Sequence, residues 1–456
     1  MKTENTLSTT RGERMAYGCY SFGMILVYAH IASFLQIYLT NSGITAVTVG
    51  VIFMIAKVWD AVNDPIFGVM VDKVRFKKDR YKPWLRIASM AIPVATILLF
   101  VIPSGASSQI KVIWASAAYV LWDTAYTMCD VPLAALATAM SESPYERNKL
   151  YSLAAFFTCV GGLLVAVMVP MLFPAIGWGM TSVIVAVLAF LSMLPLQFKT
   201  KERFAPPQNK EVSVTELFRN LFKNKYLLVF TLATIIGSTV NFTTSLVVYF
   251  ATYCMGNEAM ITPIVIAAGA PLMIVSLILP KLYTKADKFK IMIISRIINI
   301  FVDFIIYAAG YENVPLFIAL VAIKHTFFAV WGVSGTMFVA DCVEYGHFKT
   351  GQRSEGISFS VKAFTNKLIM ALSGSLGMFA LGAYGFVEGE GAVQSAETLR
   401  GMWNLFALWP AIGSIVAVAI LLSMYKLKDK DVKLMIRANN GEISKDEAIA
   451  GFSREY

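Results

Sequence analysis

Ionisable residues share one face of an apolar segment near position 60. The segment AKVWDAVNDPIFG places Lys57, Asp60 and Asp64 at helical spacings of three and seven residues, and Asn63 lies three residues after Asp60. Two carboxylates one helical turn apart do not both ionise at low cost in an apolar environment without a cation between them. That cation is a proton, a hard metal ion or Lys57 itself. The alternative is a buried Asp–Lys pair that only holds helices together.

A second polar face follows in the segment VLWDTAYTMCDVP. Asp123, Thr127 and Asp130 are spaced by four and three residues and share one side of a helix. Tyr126 and Trp122 lie beside that side and offer a surface on which a ligand ring can stack. For Trp122 alone, a lipid-facing or interfacial position is the more usual interpretation of an aromatic residue in a membrane helix.

Two lysines lie in the apolar segment GISFSVKAFTNKLIM. Lys362 and Lys367 are five residues apart, which is about 140° around a helix, so we expect different roles for them. One interpretation pairs them with carboxylates from the earlier part of the chain. The other has Lys362 reaching the membrane interface with its ammonium group. The available counter-charges are Asp60, Asp64, Asp123 and Asp130.

Other classes of chemistry lack the residues that they need. The sequence contains no phosphate-binding glycine loop followed by Lys and Ser or Thr, which argues against ATP-driven transport. Its three His and five scattered Cys show no spacing typical of zinc, haem or iron–sulfur sites. We therefore predict no enzyme activity and no cofactor. The remaining isolated polar residues in apolar segments are His30, Asp303, Lys324 and His325.

The composition indicates a membrane protein with many spans. Of the 456 residues, 57% are hydrophobic and only 15% are charged, against about 25% charged in a soluble domain, and the mean hydropathy is +0.64. About 20 apolar residues in a helix cross the hydrocarbon layer. We predict twelve such spans, near residues 17–39, 45–71, 84–103, 110–140, 150–173, 177–198, 226–254, 260–280, 291–310, 314–341, 355–386 and 401–425.

The basic residues are distributed as orientation signals. The net charge of +10 would fit nucleic-acid binding only if it were clustered on one face. With both termini in the cytoplasm, 31 of the 39 Lys and Arg fall in cytoplasmic segments, and the outside loops hold only Lys111 and Arg400. This pattern predicts an N-in, C-in topology in the plasma membrane, with the lipid bilayer and not nucleic acid as the partner.

The order of loops indicates an internal duplication. A charged loop follows the second span (71–82), and another follows the eighth (280–290). We predict the all-α major facilitator fold, in which two six-helix halves bind substrate near the bilayer midplane. The predicted divisions are an N-terminal half at 1–198, a central loop at 199–225, a C-terminal half at 226–425 and a cytoplasmic tail at 426–456.

Four segments resemble the glycoside–pentoside–hexuronide:cation symporter family, to which melibiose permeases belong. They are WDAVNDP (59–65) with YKPW (81–84), YTMCDVP (126–132), and ADCVEYGHF (340–348) with Arg353, Glu355–Gly356 and Lys367. The match extends over both halves with similar spacing. The resemblance implies a sugar symporter driven by Na⁺ or H⁺, which we expect to be a monomer.

The resemblance also assigns roles to residues. It implies a cation site of hard oxygen donors at Asp60, Asn63, Asp64 and Thr127, which suits Na⁺. It implies that Asp130 binds sugar hydroxyls and that Lys367 lies by both ligands. The full set that we predict for substrate binding is Asp130, Tyr126, Lys367, Lys362, Asp123 and Trp331.

Departures from the melibiose permease pattern concern the sugar. Ile25, Ala155 and Ala134 stand where those permeases carry an Asp, an Arg and a Trp, and Lys362 with Ala363 replaces Gln and Thr. An added cation and a lost carboxylate favour an acidic glycoside such as a glucuronide, with a neutral pentoside as the alternative. Two further alternatives are a transporter of lipid-like solutes on the same fold and a membrane sensor that transports nothing.

Overall fold

The computed structural model describes residues 8–74, 76, 79–103, 105–141, 143–204, 219, 222–283, 285–351 and 355–454, and every regular element in these ranges is a helix. The predicted central loop at 199–225 therefore lies largely outside the described residues. The helices are α1 (Arg11–Asn41), α2 (Ala46–Lys73), α3 (Lys82–Leu99), α4 (Ser108–Met140), α5 (Pro144–Lys199), α6 (Lys225–Thr239), α7 (Ile261–Tyr283), α8 (Lys288–Ala309), α9 (Val314–Thr350), α10 (Glu355–Ala383), α11 (Ala396–Trp403), α12 (Trp409–Met424), α13 (Asp429–Asn439) and α14 (Lys445–Ala450).

Within the described ranges, nine helical stretches are long and apolar enough to cross a membrane. Two predicted spans, 150–173 and 177–198, meet without a loop inside α5. Gly177 between them has φ 78° and ψ 164°, so the helical path breaks there at a backbone conformation that L-residues rarely adopt. The total of twelve spans and the N-in, C-in topology stay predictions.

The chain divides into two compact units. The first comprises Met1–Asn209 with Leu381–Ser395, and the second comprises Lys210–Ala380 with Ala396–Tyr456. In the first unit, α1 packs closely on α5. A Cβ on Gly23 would lie 2.7 Å from the carbonyl oxygen of Ala189, so only glycine permits this approach.

The predicted span at 226–254 is not one unbroken helix in the structure. After α6 the chain forms turns over 240–246, and it then continues through Val247–Tyr249 into a π-helical segment, Phe250–Cys254. The turns carry Asn, Thr and Ser, whose side chains compete with the helix for backbone groups. Thr243 donates to the carbonyl of Phe406 at 3.2 Å, and Ser373 donates to that of Asn241 at 3.4 Å. The bond from Ser373 thus satisfies one carbonyl of the non-helical backbone in an apolar region, and the bond from Thr243 ties the turn to a neighbouring helical segment.

The same kind of cap fixes one helix in each unit. In the first unit, the carboxylate of Glu202 accepts the backbone N–H groups of Arg80, Tyr81 and Lys82, each at 2.8 Å, at the start of α3. In the second unit, Asp429 accepts the N–H of Lys288 at 2.9 Å, at the start of α8. Each carboxylate follows the last predicted span of its half, which agrees with the predicted duplication.

The C-terminal tail is folded onto the second unit. Helices α13 and α14 pack together, and α13 lies on α9. Asn439 donates to the carboxylate of Glu344 at 2.9 Å, and the backbone N–H of Ser453 donates to the buried Asp431 at 2.9 Å. The tail therefore extends the core of this unit.

Candidate functional site

Lys57 lies between two carboxylates of the first unit. Its Nζ is 3.6 Å from Oδ2 of Asp60 on its own helix and 4.0 Å from Oδ1 of Asp123 on α4. The side chain of Asp123 is 4% exposed, whereas those of Lys57 and Asp60 are 20% and 15% exposed. A buried carboxylate needs a countercharge, and Lys57 supplies it across the α2–α4 contact. The sequence allows a proton, a metal ion or Lys57 as the countercharge, and in the structure the ammonium of Lys57 lies at that place.

One turn further along α2, a second pair of polar residues meets across the same contact. Thr127 donates to Oδ1 of Asp64 at 3.2 Å and to the backbone carbonyl of Asp123 at 3.2 Å. Asn63 is buried, and its Nδ2 has no hydrogen-bond partner in the described part of the chain. Since an amide can turn about its last bond, Asn63 can present either its nitrogen or its oxygen at that place. The four residues predicted for the cation therefore lie on facing sides of α2 and α4.

A metal ion would need more than acidic ligands at this position. Among the residues that the structure describes, no three His, Cys, Asp or Glu side chains are grouped closely enough to hold a metal ion. Sodium would be held with hydroxyl, amide or backbone oxygens in addition, which suits a weak and reversible cation site.

Aromatic rings cover one end of the charged cluster. Trp122 is buried, stacks on Tyr126 with ring centroids 5.0 Å apart, and donates from Nε1 to Thr96 at 3.0 Å. Tyr28 of α1 packs on Tyr126 with a centroid distance of 5.4 Å. The interpretation of Trp122 as a lipid-facing ring is wrong, because its ring and N–H are both used inside the unit.

Asp130 differs from the other carboxylates of α4. It is exposed, whereas Asp123 and Thr127 on the preceding turns are buried. Tyr126 lies one turn before it and is half-buried. Asp130 is thus the acidic side chain of this helix that an incoming polar molecule can reach.

The predicted residues of the second unit lie in different surroundings. The ammonium of Lys362 donates to Thr336 of α9, and Lys367 is exposed. Trp331 is 4% exposed in the hydrophobic core, with the guanidinium of Arg296 4.8 Å from the ring centroid. Its role in substrate binding stays a prediction. Arg353 lies outside the described residues, as does the side chain of Glu355.

One buried ion pair of the second unit was not predicted from the sequence, although both of its residues were noted there as isolated polar residues. Asp303 of α8 and Lys324 of α9 form a contact of 2.7 Å, with side chains 0% and 2% exposed. Lys324 also donates to Thr243 in the interrupted span at 3.0 Å. The opposite charges of these two residues in neighbouring apolar segments were a usable signal, whereas Thr243 carried none.

The comparisons with known proteins concern nearly the whole chain. The model of the family described as MFS/sugar transport protein matches residues 16–429. The uncharacterized symporter YjmB of Bacillus subtilis is 30% identical, with 94% of this chain and 95% of the relative covered. The isoprimeverose transporter of Lactiplantibacillus pentosus is 25% identical, covering 93% and 90%. The glucuronide carrier protein homolog of Escherichia coli is also 25% identical, covering 91% and 93%.

A solved structure has a similar fold. The bacterial homologue of the human lysosomal transporter Spinster, in its inward-facing and unoccupied conformation, superposes with a TM-score of 0.65. The match covers 92% of this chain and 96% of that chain at 15% identity, so it is a likeness of fold alone.

Proposed function

This chain belongs to the MFS/sugar transport protein family, and from that membership we propose that it is a cation-coupled symporter of a sugar or glycoside. The chain is a multi-pass membrane transporter and not an enzyme. Within the proposal, it crosses the plasma membrane twelve times with both termini in the cytoplasm and works by alternating access.

The excess of carboxylates over cations at the α2–α4 contact carries the proposal. Two carboxylates, Asp60 and Asp123, lie near the ammonium of Lys57, and a third, that of Asp64, lies one turn further along α2 against Thr127. With every group ionised, this cluster has a net charge of −2, which is costly in a membrane. A bound Na⁺ or H⁺ reduces that charge. The hydroxyl of Thr127 and the amide of Asn63 add the neutral oxygens that favour Na⁺ over H⁺ alone.

The carboxylates of the site can be balanced either by the ammonium of Lys57 or by a bound cation. The distances of 3.6 and 4.0 Å from Lys57 to Asp60 and Asp123 exceed those of a close ion pair, so a cation can replace it without breaking a tight contact. When the cation binds, the ammonium turns to Asp123. Coupling follows because a filled cation site makes the neighbouring carboxylates available to sugar hydroxyls, and this effect on affinity is reciprocal between the two ligands.

The proposed substrate is a glycoside with an acidic or a pentose sugar. Exposed Asp130, beside Tyr126, is the proposed acceptor for sugar hydroxyls. Lys367, with Lys362, supplies the positive charge that a uronate needs. The isoprimeverose and glucuronide carriers among the relatives support these two classes. The proposed sites for both ligands contain no cofactor.

Uptake by purified protein in liposomes tests the proposal. We expect an inward Na⁺ gradient to drive accumulation of methyl β-D-glucuronide or methyl β-D-xyloside. Asp60→Asn and Asp64→Asn are each expected to lower concentrative uptake at least about 100-fold, because a lost charge of a coupling site removes about 3 kcal/mol of cation binding.

Asp446→Asn is the matched control, since Asp446 is an exposed residue of α14 and its loss should leave uptake unchanged. Full Na⁺-driven accumulation by the Asp60 and Asp64 variants would contradict the cation assignment. Absence of uptake of any glycoside by the unsubstituted protein would contradict the proposed function itself.

A further inference from the structure

The interrupted span of the second unit lines a cavity that the proposed function does not use. The cavity has a volume of about 340 Å³ and lies between the turns at 240–246, α7 and α9. Four of its lining residues are exposed, so the cavity is open to entering molecules; they are Thr244, Gly269, Leu272 and Gly332. Irregular backbone at such a depth is tolerated where it lines a cavity, and in transporters it marks binding sites.

The wall of the cavity is almost wholly apolar. Apart from two threonines and one histidine, its lining side chains are those of Val, Ile, Ala, Leu, Phe and Gly. Thr243 accepts from Lys324 and donates to Phe406, so its hydroxyl proton is already used. The charge of Lys324 is balanced by Asp303 at 2.7 Å. The cavity is therefore suited to an uncharged, apolar group.

His325 supplies one hydrogen-bond acceptor in this wall. Its Nδ1 lies 2.9 Å from the backbone carbonyl of Val321, and a carbonyl only accepts, so Nδ1 carries the proton. Nε2 of the neutral ring then has a lone pair that can accept from a hydroxyl group. Phe328 in the same wall is held by the guanidinium of Arg296, 4.8 Å from its ring centroid.

The corresponding spans of the two units differ in chemistry. In the first unit, the first, second and fourth spans carry Tyr28, Lys57, Asp60 and Asp123. In the second unit, the seventh, eighth and tenth spans, which are their counterparts in a duplicated fold, form the apolar cavity. The duplication thus provides one polar and one apolar recognition surface.

We propose that this cavity is a subsite for an apolar, hydroxyl-bearing aglycone, and this inference rests on the proposed transport of glycosides. A cavity of about 150 Å³ holds one benzene ring, so a cavity of about 340 Å³ is large enough for a bicyclic aryl group. The aryl hydroxyl donates to Nε2 of His325. The substrate class is then an aryl glycoside with two fused rings.

Gly332 offers a substitution that fills the cavity without disturbing the backbone. A Cβ at this position meets no heavy atom within 4 Å. Binding of methyl and 2-naphthyl glycosides, each as the β-D-glucuronide and the β-D-xyloside, is measured by calorimetry on the purified full chain. We expect the unsubstituted protein to bind the naphthyl compound at least about tenfold more tightly than the methyl compound of the same sugar.

The two variants at Gly332 form a matched pair. Gly332→Leu is expected to reduce the naphthyl preference to about onefold while leaving methyl glycoside binding unchanged, because only the cavity is filled. Gly332→Ala adds a single methyl group and is expected to retain most of the preference. An undiminished naphthyl preference in Gly332→Leu would overturn the subsite, whereas the proposed function would stand on the methyl compounds.

His325→Phe tests the acceptor separately. It keeps an aromatic ring but removes Nε2, so a 6-hydroxy-2-naphthyl glycoside should lose its advantage over the 2-naphthyl glycoside. We expect the two compounds to differ at least about threefold in the unsubstituted protein and not to differ in the variant. The same difference in both proteins would contradict the role of His325. If no glycoside of either series binds, the proposed function fails and the subsite fails with it.

Discussion

At the scale of single residues, we expect the ion pair of Asp303 and Lys324 to contribute strongly to the stability of the fold. Both side chains are almost completely buried, at 0% and 2% exposure. Asp303→Asn leaves the ammonium of Lys324 without its counter-ion, which costs about 3–5 kcal/mol for a buried pair. We expect a marked fall in the melting temperature and in expression. The measurement is thermal unfolding of purified protein in detergent.

The double variant serves as the control for this pair. Asp303→Asn with Lys324→Met leaves no uncompensated charge and should recover most of the lost stability. If the double variant is as unstable as the two single losses added together, the pair does not interact in the way that the 2.7 Å contact indicates.

The carboxyl of Glu146 at the start of α5 is expected to make the stability of the fold depend on pH. Burial raises the pKa of this carboxyl, but hydrogen bonds from Ser141, Ser8 and both the backbone and hydroxyl of Thr9 outweigh burial and lower the pKa to about 2. Since the folded pKa is below the ordinary value of 4.5, this carboxylate stabilises the fold above pH 4.5. The contribution is lost as the pH falls from about 4.5 towards 2.

The comparison of the unsubstituted protein with Glu146→Gln measures this contribution. The two melting temperatures should differ at pH 6 and converge between pH 4.5 and pH 2, because the protonated carboxyl and the amide are then equally neutral. A difference that stays constant over this range would show that the charge of Glu146 does not anchor Ser8 and Thr9.

The candidate site shows how far single residues can be predicted from the sequence. Helical spacing predicted a shared side for Asp60 and Asp64 on α2, and the family resemblance implied that Thr127 of α4 lies near them; the contact of Thr127 with Asp64 agrees with this arrangement. Helical spacing did not decide which cation balances the carboxylates, because the partner of Lys57 on α4 depends on how two helices pack. The lipid-facing interpretation of Trp122 was wrong for the same reason. Hydropathy does not distinguish a ring that faces lipid from one in a core.

At the scale of elements, the caps on α3 and α8 are contacts that no local pattern shows. Glu202 lies about 120 residues from the backbone groups that it accepts, and Tyr81 at the N-cap of α3 makes no side-chain cap of its own. We expect Glu202→Ala to destabilise the start of α3 by about 1–2 kcal/mol. Amide hydrogen exchange at residues 80–84 should then speed up about 5- to 30-fold.

Glu442→Ala is the matched control for this loss of a carboxylate. Glu442 pairs with Arg437 at 3.4 Å, but both side chains are more than half exposed, so its loss should change little. Equal exchange at residues 80–84 in the Glu202 variant and the unsubstituted protein would refute the capping role.

The interrupted span shows which feature of the helices could not be predicted from the sequence. Long apolar stretches predict where a helix crosses a membrane, and most helix ends agree with the predicted spans within a few residues. The break at 240–246 was missed because Asn, Thr and Ser are tolerated inside membrane helices. Here Ser373 donates to the released carbonyl of Asn241, and the Thr243 side chain donates to the carbonyl of Phe406; both partners come from distant parts of the chain. The same turns line the cavity to which we assign the aglycone.

At the scale of the whole molecule, the distribution of charge implies a definite topology. The net charge of +10 indicates an orientation because 31 of the 39 Lys and Arg lie in the segments predicted to be cytoplasmic. Gly105 and Val393 then lie outside the cell, and both are exposed in the structure. The same prediction places Asp446 of α14, which is exposed as well, in the cytoplasm.

Cysteine labelling in intact cells tests this topology. Gly105→Cys and Val393→Cys are expected to react with a membrane-impermeant maleimide, whereas Asp446→Cys should react only after the cells are opened. The five native cysteines are buried or half-buried and provide the background signal in the unsubstituted protein. Labelling of Asp446→Cys in sealed cells would place the folded tail outside. With the predicted even number of spans, which puts both termini on one side, a tail in that position would reverse the assignment of every loop.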